Sequence, residues 1–249
     1  MQPKAYSSFP RMVSPFLDIS GDSIPLEQVL GSGSSAVVVL RDDVYRRYQS
    51  SNTQCSGIVN CLGFLKEATQ LAYMANGDLC TYLKTNRPPQ KLQLSWFRGM
   101  ARTLEYIHDQ HVLVADVASR NFLLDSDMTI KFCDFSEASL LPLDVDMETV
   151  DDNGYTTLID LGFLGAVIYE VVTGEKCEID LFKDNLPTDG RANWPRREFL
   201  PSTENVWLRS IIEDCWAGGF RNARSLLRAL DSVVLDSPEI EYMNDHSLT

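Results

Sequence analysis

Two aspartates and an asparagine form the most informative pattern in the chain. The stretch Val114-Ala-Asp116-Val-Ala-Ser-Arg-Asn121 is followed, thirteen residues after Asn121, by Asp134-Phe135 at the end of an apolar, strand-like run. Carboxylate and carboxamide oxygens are the groups that hard cations and proton transfer use. Asp116 and Asn121 also read as turn formers and Asp134 as a strand-end cap, a reading that suits any one of them better than all three together. A second feature lies upstream, where Gly31-Ser-Gly33-Ser-Ser-Ala36 nearly matches GxGxxG. It sits between two strand-like runs instead of between a strand and a helix, so a dinucleotide site lacks its required context. Small residues in a strand-loop-strand setting let backbone amides approach phosphate oxygens, and they equally make a flexible hairpin tip.

The elements that must position these residues follow from periodicity. Residues 24–30 alternate roughly with period two and 36–40 are a β-branched run, which predicts a hairpin with the glycine-rich tip. A short helix is expected over 42–51, then strands over 58–64 and 69–74. Asn76-Gly-Asp78 caps a helix through Leu79, Tyr82 and Leu83, and from there the period becomes helical. Leu94, Phe97, Ala101, Leu104 and Ile107 fall on one stripe of a helix, with Arg98, Arg102 and Glu105 facing away. A hairpin joins 121–124 to 129–135, and helices follow at about 156–173, 204–217 and 222–235.

Composition narrows the classes further. With 249 residues, 44% hydrophobic and 23% charged, the chain has enough apolar material for one large unit or two small lobes, which excludes general disorder. Its 35 acidic and 22 basic residues give a net charge of −13, so nucleic acid and anionic membranes are not expected partners. Six scattered cysteines without CxxC pairs predict reduced thiols, and the three histidines have no zinc-like spacing. The longest apolar stretch, 158–172, contains Asp160 and Glu170 and is too short and too charged to span a bilayer, so it reads as a buried helix. Residues 1–22 lack a signal-peptide pattern, which predicts an intracellular, cytoplasmic protein.

In its motifs and their order, the chain resembles the protein kinase superfamily across about residues 24–235. The HRDxxxxN loop of that family appears as Val114, Ala115, Asp116 and Asn121, and DFG as Asp134, Phe135 and Ser136. Tyr73-Met74-Ala-Asn-Gly-Asp78 looks like the hinge, with Leu71 as gatekeeper. Asp160-Leu-Gly-Phe-Leu-Gly165 looks like the central buried helix, whose leading aspartate bonds amides of the catalytic loop. The resemblance implies an α+β, two-lobed protein kinase-like fold: an extension at 1–22, a reduced β-sheet lobe at 23–77, a mainly helical lobe at 78–236 and a flexible tail at 237–249. It further implies ATP held by Leu30, Gly31, Gly33, Val38, Leu71, Ala72, Met74 and Leu123, Mg²⁺ on Asn121 and Asp134, and Asp116 as the catalytic residue for transfer to a protein hydroxyl.

The departures from the family pattern predict weakened chemistry. No lysine occurs from 34 to 65, and only 24 residues separate Gly33 from Ile58, where the family fits a further strand and a whole helix. A missing preorganised charge contact costs roughly 10²–10³ in rate, and the arginines at 41, 46 and 47 are no equivalent for a lysine. Val114 and Ala115 replace the histidine and arginine of HRD, and Ser136 the last glycine of DFG. Arg120 stands where tyrosine kinases carry arginine, which leaves Ser/Thr against Tyr specificity open. The alternative is a catalytically inactive pseudokinase that acts as a protein-interaction module. A protein substrate or partner is expected in either case, in an unspecified oligomeric state. Asp146-Met-Glu148, twelve residues before Asp160, falls where the family's APE would lie, but a lone acid in an acidic stretch reads more readily as solvated surface.

Overall fold

A computed structural model describes residues 42–50, 55–64, 69–183, 185 and 188–235. The predicted glycine-rich hairpin, with Leu30, Gly31, Gly33 and Val38, lies outside these residues, as does the C-terminal tail. The first described element is helix α1 (Asp42–Ser50), as the sequence predicts, followed by the antiparallel strands β1 (Cys61–Phe64) and β2 (Thr69–Leu71). Both strands are shorter than the apolar runs that predict them. Ile58 forms only a bridge to Phe132, and the register slips between Cys61 and Gly63.

Helix α2 (Leu79–Thr85) begins where Asp78 accepts a hydrogen bond from the Thr81 amide at 2.8 Å, the cap expected from the sequence. Helix α3 (Gln90–Asp109) buries its whole predicted stripe, Leu94, Phe97, Ala101, Leu104 and Ile107. Its outer face is not merely solvated. Arg98 donates to the carbonyls of Leu230, Asp231 and Val233, and Glu105 pairs with Arg224 at 2.5 Å. These contacts fasten α3 to α6 (Ala223–Asp231), the first through the orphan carbonyls that end every helix.

Three short antiparallel pairs carry the loops between the helices. The hairpin β4 (Phe122–Leu124) and β5 (Ile130–Phe132) pairs Phe122 with Phe132, and β3 (Val112–Leu113) pairs with β6 (Ser139–Leu140). The hairpin tip is tied to α3 by the Trp96 indole, which donates to the Met128 carbonyl at 2.7 Å. Gly57 passes so close to α3 that a Cβ there would lie 1.8 Å from the Thr103 hydroxyl, so this crossing of the 57–59 segment over the helix requires glycine.

Helix α4 (Thr157–Thr173) is the buried helix predicted from the longest apolar run; Thr156 caps its start and Gly174, at φ +77°, its end. It packs on α5 (Arg209–Ala217), where Gly165 lies against Cys215 and Trp216, and Leu164, Ile168 and Ile212 all belong to the main core. Two boundaries differ from expectation. Residues 204–208 are non-helical, with turns at 204–205 and 207–208 and left-handed backbone at Leu208 (φ +60°), so α5 starts late. Helix α6 stops at Asp231, where its last carbonyls turn to Arg98. Among the described residues no helix is long and apolar enough to cross a membrane.

Candidate active site

The hairpin register brings two of the predicted oxygen ligands together. Asn121 immediately precedes β4 and Cys133 immediately follows β5; the Cys133 amide donates to the Asn121 carbonyl at 3.0 Å, which places Asn121 and Asp134 at the same end of the hairpin. The buried Asn121 spends its Nδ2 on Asp116, donating at 2.9 Å to both the main-chain carbonyl and Oδ2. Asp116 is thereby held over the same spot. Asp134 accepts the Ser136 amide at 2.9 Å through Oδ1. Among the described residues neither Asn121 Oδ1 nor Asp134 Oδ2 has a hydrogen-bond partner, so each keeps an oxygen for another ligand.

A guanidinium completes the cluster. Arg120 Nη2 donates to both carboxylate oxygens of Asp116, at 2.6 and 2.7 Å, an exposed pair that orients the carboxylate more than it adds stability. The Cys133 thiol beside it is pushed up to about 12, first by burial and then by the charges of Asp134 and Asp78. Burial thus favours the protonated thiol, which donates to the Asn121 carbonyl at 3.3 Å.

Behind this cluster the loop rests on one buried carboxylate. Asp160, 1% exposed on the first turn of α4, accepts the amides of Val114 at 2.9 Å and Ala115 at 2.8 Å and meets His108 Nε2 at 2.9 Å. Such a set of donors is what a buried acid needs, and the bonds to the loop are those expected from the sequence. Ala115 holds left-handed backbone (φ +62°) to present its amide, a conformation costing on the order of 1 kcal/mol or more that the Asp160 contacts maintain. His108 was legible only as another position near the apolar stripe of α3.

Phe135 turns inward from Asp134 and packs against Phe132, Tyr48 and Tyr45, with ring centroids 5.1, 5.3 and 5.4 Å away. The last two belong to α1, and the Tyr45 hydroxyl donates to the Cys133 carbonyl at 2.9 Å. Burial raises the Tyr45 phenol far above its ordinary value, so it remains a donor. Nine residues of helix therefore stand behind Asp134 despite the short connection from Gly33 to Ile58. Further along, Glu148 pairs with Arg221 and accepts from Asn222. The plain reading of Asp146-Met-Glu148 as solvated surface therefore fails at Glu148, whose partners lie more than seventy residues away.

The predicted hinge residues also converge. The Asn76 amide donates to the Leu124 carbonyl at 3.0 Å and the Leu124 amide to the Gly77 carbonyl at 2.9 Å, which straps 76–77 to β4 beside Leu123. Leu71 and Ala72 continue from β2, and the Ala72 amide is taken by the Asn60 carbonyl at 2.8 Å. The Ala72 carbonyl and the Met74 amide have no hydrogen bond among the described residues, whereas the Met74 side chain is buried. A separate cavity of about 440 Å³ opens between the end of α3, residues 145–148 and the start of α6, and none of its lining residues is a predicted site residue.

A catalytic-type loop strung from a buried helix aspartate, with an Asp/Asn pair at a hairpin end and an inward Asp-Phe turn, defines a protein kinase-like fold. Comparison with known proteins agrees: the family profile for protein tyrosine and serine/threonine kinases matches residues 47–232, and the chain belongs to that family. A G-type lectin S-receptor-like serine/threonine-protein kinase of Oryza sativa subsp. indica is 25% identical over 221 residues, covering 70% of this chain and 27% of the relative. A tyrosine-protein kinase receptor of Danio rerio is 27% identical over 177 residues (59% and 19%). A serine/threonine/tyrosine-protein kinase of Arabidopsis thaliana is 26% identical over 190 residues (65% and 47%). The alignments thus span less than half the length of each of these relatives.

Proposed function

We propose that the chain binds ATP with Mg²⁺ between an N-terminal part (23–77) and a helical part (78–236), and transfers a phosphoryl group slowly to a protein hydroxyl. The observation that carries this reading is the convergence of Asp116, Asn121 and Asp134 on one hairpin end. Protein kinases use ATP and a divalent metal as a family, and the donor set fits that metal. Mg²⁺ takes one or two side-chain oxygens and fills its shell with phosphates and water, so Asn121 Oδ1 and Asp134 Oδ2 are an adequate protein contribution. No cluster of three or more ligating side chains is present among the described residues, and none is needed.

When bound, the metal neutralises charge on the phosphates. The remaining work falls to the chain. Asp116, fixed by Arg120 and Asn121, orients the attacking hydroxyl and takes its proton. The Ala72 carbonyl and Met74 amide offer one acceptor and one donor to the edge of an adenine, while Leu71 and Leu123 supply apolar contact; the family resemblance assigns Leu30, Gly31, Gly33 and Val38 to the same nucleotide. The net charge of −13 favours basic protein substrates over acidic ones.

The absence of lysine from 34 to 65 favours a second reading, a pseudokinase that engages a protein partner without turnover. A phosphoryl-transfer assay on histone, run with Asp116→Asn beside the parent and with nucleotide binding measured on both, separates the two. The proposal predicts transfer by the parent, at least about 10²-fold less by the variant, and similar binding by both. Binding without any transfer by the parent would establish the second reading, and transfer retained by Asp116→Asn would remove Asp116 from its role.

A further inference from the structure

The geometry points to Arg47 as a positioning residue that pins the segment following Asp134, so that the placement of this segment requires no phosphorylation. Arg47 lies in the last turn of α1, and its Nη1 donates to the Gln110 carbonyl at 3.2 Å and to the Leu141 carbonyl at 2.8 Å. Gln110 caps the C-terminal end of α3, where a cation is favoured by the unpaired carbonyls and the helix dipole. Leu141 directly follows β6, and its amide donates to the His111 carbonyl at 2.9 Å. One residue is thus held from both sides, by the main chain of the β3 strand's approach and by the guanidinium of α1.

The same helix supplies the Tyr45 hydroxyl to the Cys133 carbonyl and the Tyr48 ring to Phe135. Helix α1 therefore grips the chain at both ends of a short span, just before Asp134 and at Leu141. The acceptors are backbone carbonyls, which no modification creates or removes. The charge that meets this span at Leu141 comes from Arg47. This role deepens the proposed function by naming how the site is regulated, and it rests on that reading for its consequence in catalysis.

Amide hydrogen exchange on the full chain, without nucleotide and after phosphatase treatment, tests it independently of any activity. The amides of β6 and Leu141 are expected to be equally protected before and after treatment, to exchange at least about tenfold faster in Arg47→Ala, and to recover part of their protection in Arg47→Lys, which restores one donor. Arg98→Ala, a substitution elsewhere on α3 that unfastens the carbonyls of Leu230, Asp231 and Val233 at the end of α6, serves as the control for general loosening. Equal exchange in Arg47→Ala and the parent, equal acceleration by Arg98→Ala, or deprotection by phosphatase alone would each overturn the assignment. Should Arg47→Ala not fold, the phosphatase comparison and Arg47→Lys against Arg98→Ala still decide it.

Discussion

Asp160→Ala is expected to be the most destabilising single change in the described part of the chain, by about 3–5 kcal/mol. The substitution strands three donors at once, the amides of Val114 and Ala115 and His108 Nε2, in a place where the carboxylate is almost wholly out of water. Leaving a buried donor unpaired costs about 1–3 kcal/mol each before relaxation. Ala115 also loses the contact that holds its left-handed backbone. For a domain of this size 1 kcal/mol lowers the midpoint by about 2–4 °C, so thermal melting should show a drop on the order of 10 °C. Asp160→Asn, which keeps one acceptor oxygen and turns an NH₂ toward a donor, should fall between. A midpoint for Asp160→Ala within a degree of the parent would mean that the catalytic loop is held by something else.

The second large effect is on ligand binding. Asp134→Asn keeps the side-chain shape and an oxygen to accept the Ser136 amide, so the fold should stay intact. It removes the negative charge that draws the metal in the proposed site. Changes to groups one step removed from a metal cost about 10–100-fold in affinity, so a direct ligand is expected to cost at least about 100-fold in Mg²⁺-dependent ATP binding. Titration of ATP at fixed Mg²⁺ by calorimetry reads this directly. Affinity within a few-fold of the parent would take Asp134 out of the metal site and leave the hairpin-end cluster without its cation.

The residues behind these two predictions differ in how far their placement is legible in the sequence. Asp116, Asn121 and Asp134 could be read in advance because their spacing along the chain is itself the geometry: a loop followed by a hairpin of fixed register brings them to one end. Asp160 was legible for a different reason, since an acid early in an apolar helix demands donors. His108 was not, because a histidine near a buried stripe gives no hint of a partner 52 residues away. Glu148 reads as surface for the same cause; its cation lies 73 residues downstream.

Element ends were harder to place than element centres. The apolar pattern of 204–208 continues that of α5, yet Leu208 adopts left-handed backbone and the helix starts at Arg209. The pattern of α6 likewise continues past Asp231, where tertiary contacts with Arg98 end it. Helix α1 was foreseen, but its role was not, because the packing of Tyr45 and Tyr48 on Phe135 joins residues some ninety positions apart. Hydrophobic periodicity reports which face is buried and not against what.

The central claim is that the chain binds nucleotide with its metal, and thermal melting of the purified chain with Mg²⁺ alone and with Mg²⁺ and ATP tests it most directly. A ligand at a hundredfold its dissociation constant stabilises the native state by about 2.7 kcal/mol, which for this size is an upward shift of about 5–10 °C. The account predicts that shift with ATP and Mg²⁺ and none with Mg²⁺ alone. A cooperative transition whose midpoint stays fixed at millimolar ATP and Mg²⁺ would contradict it.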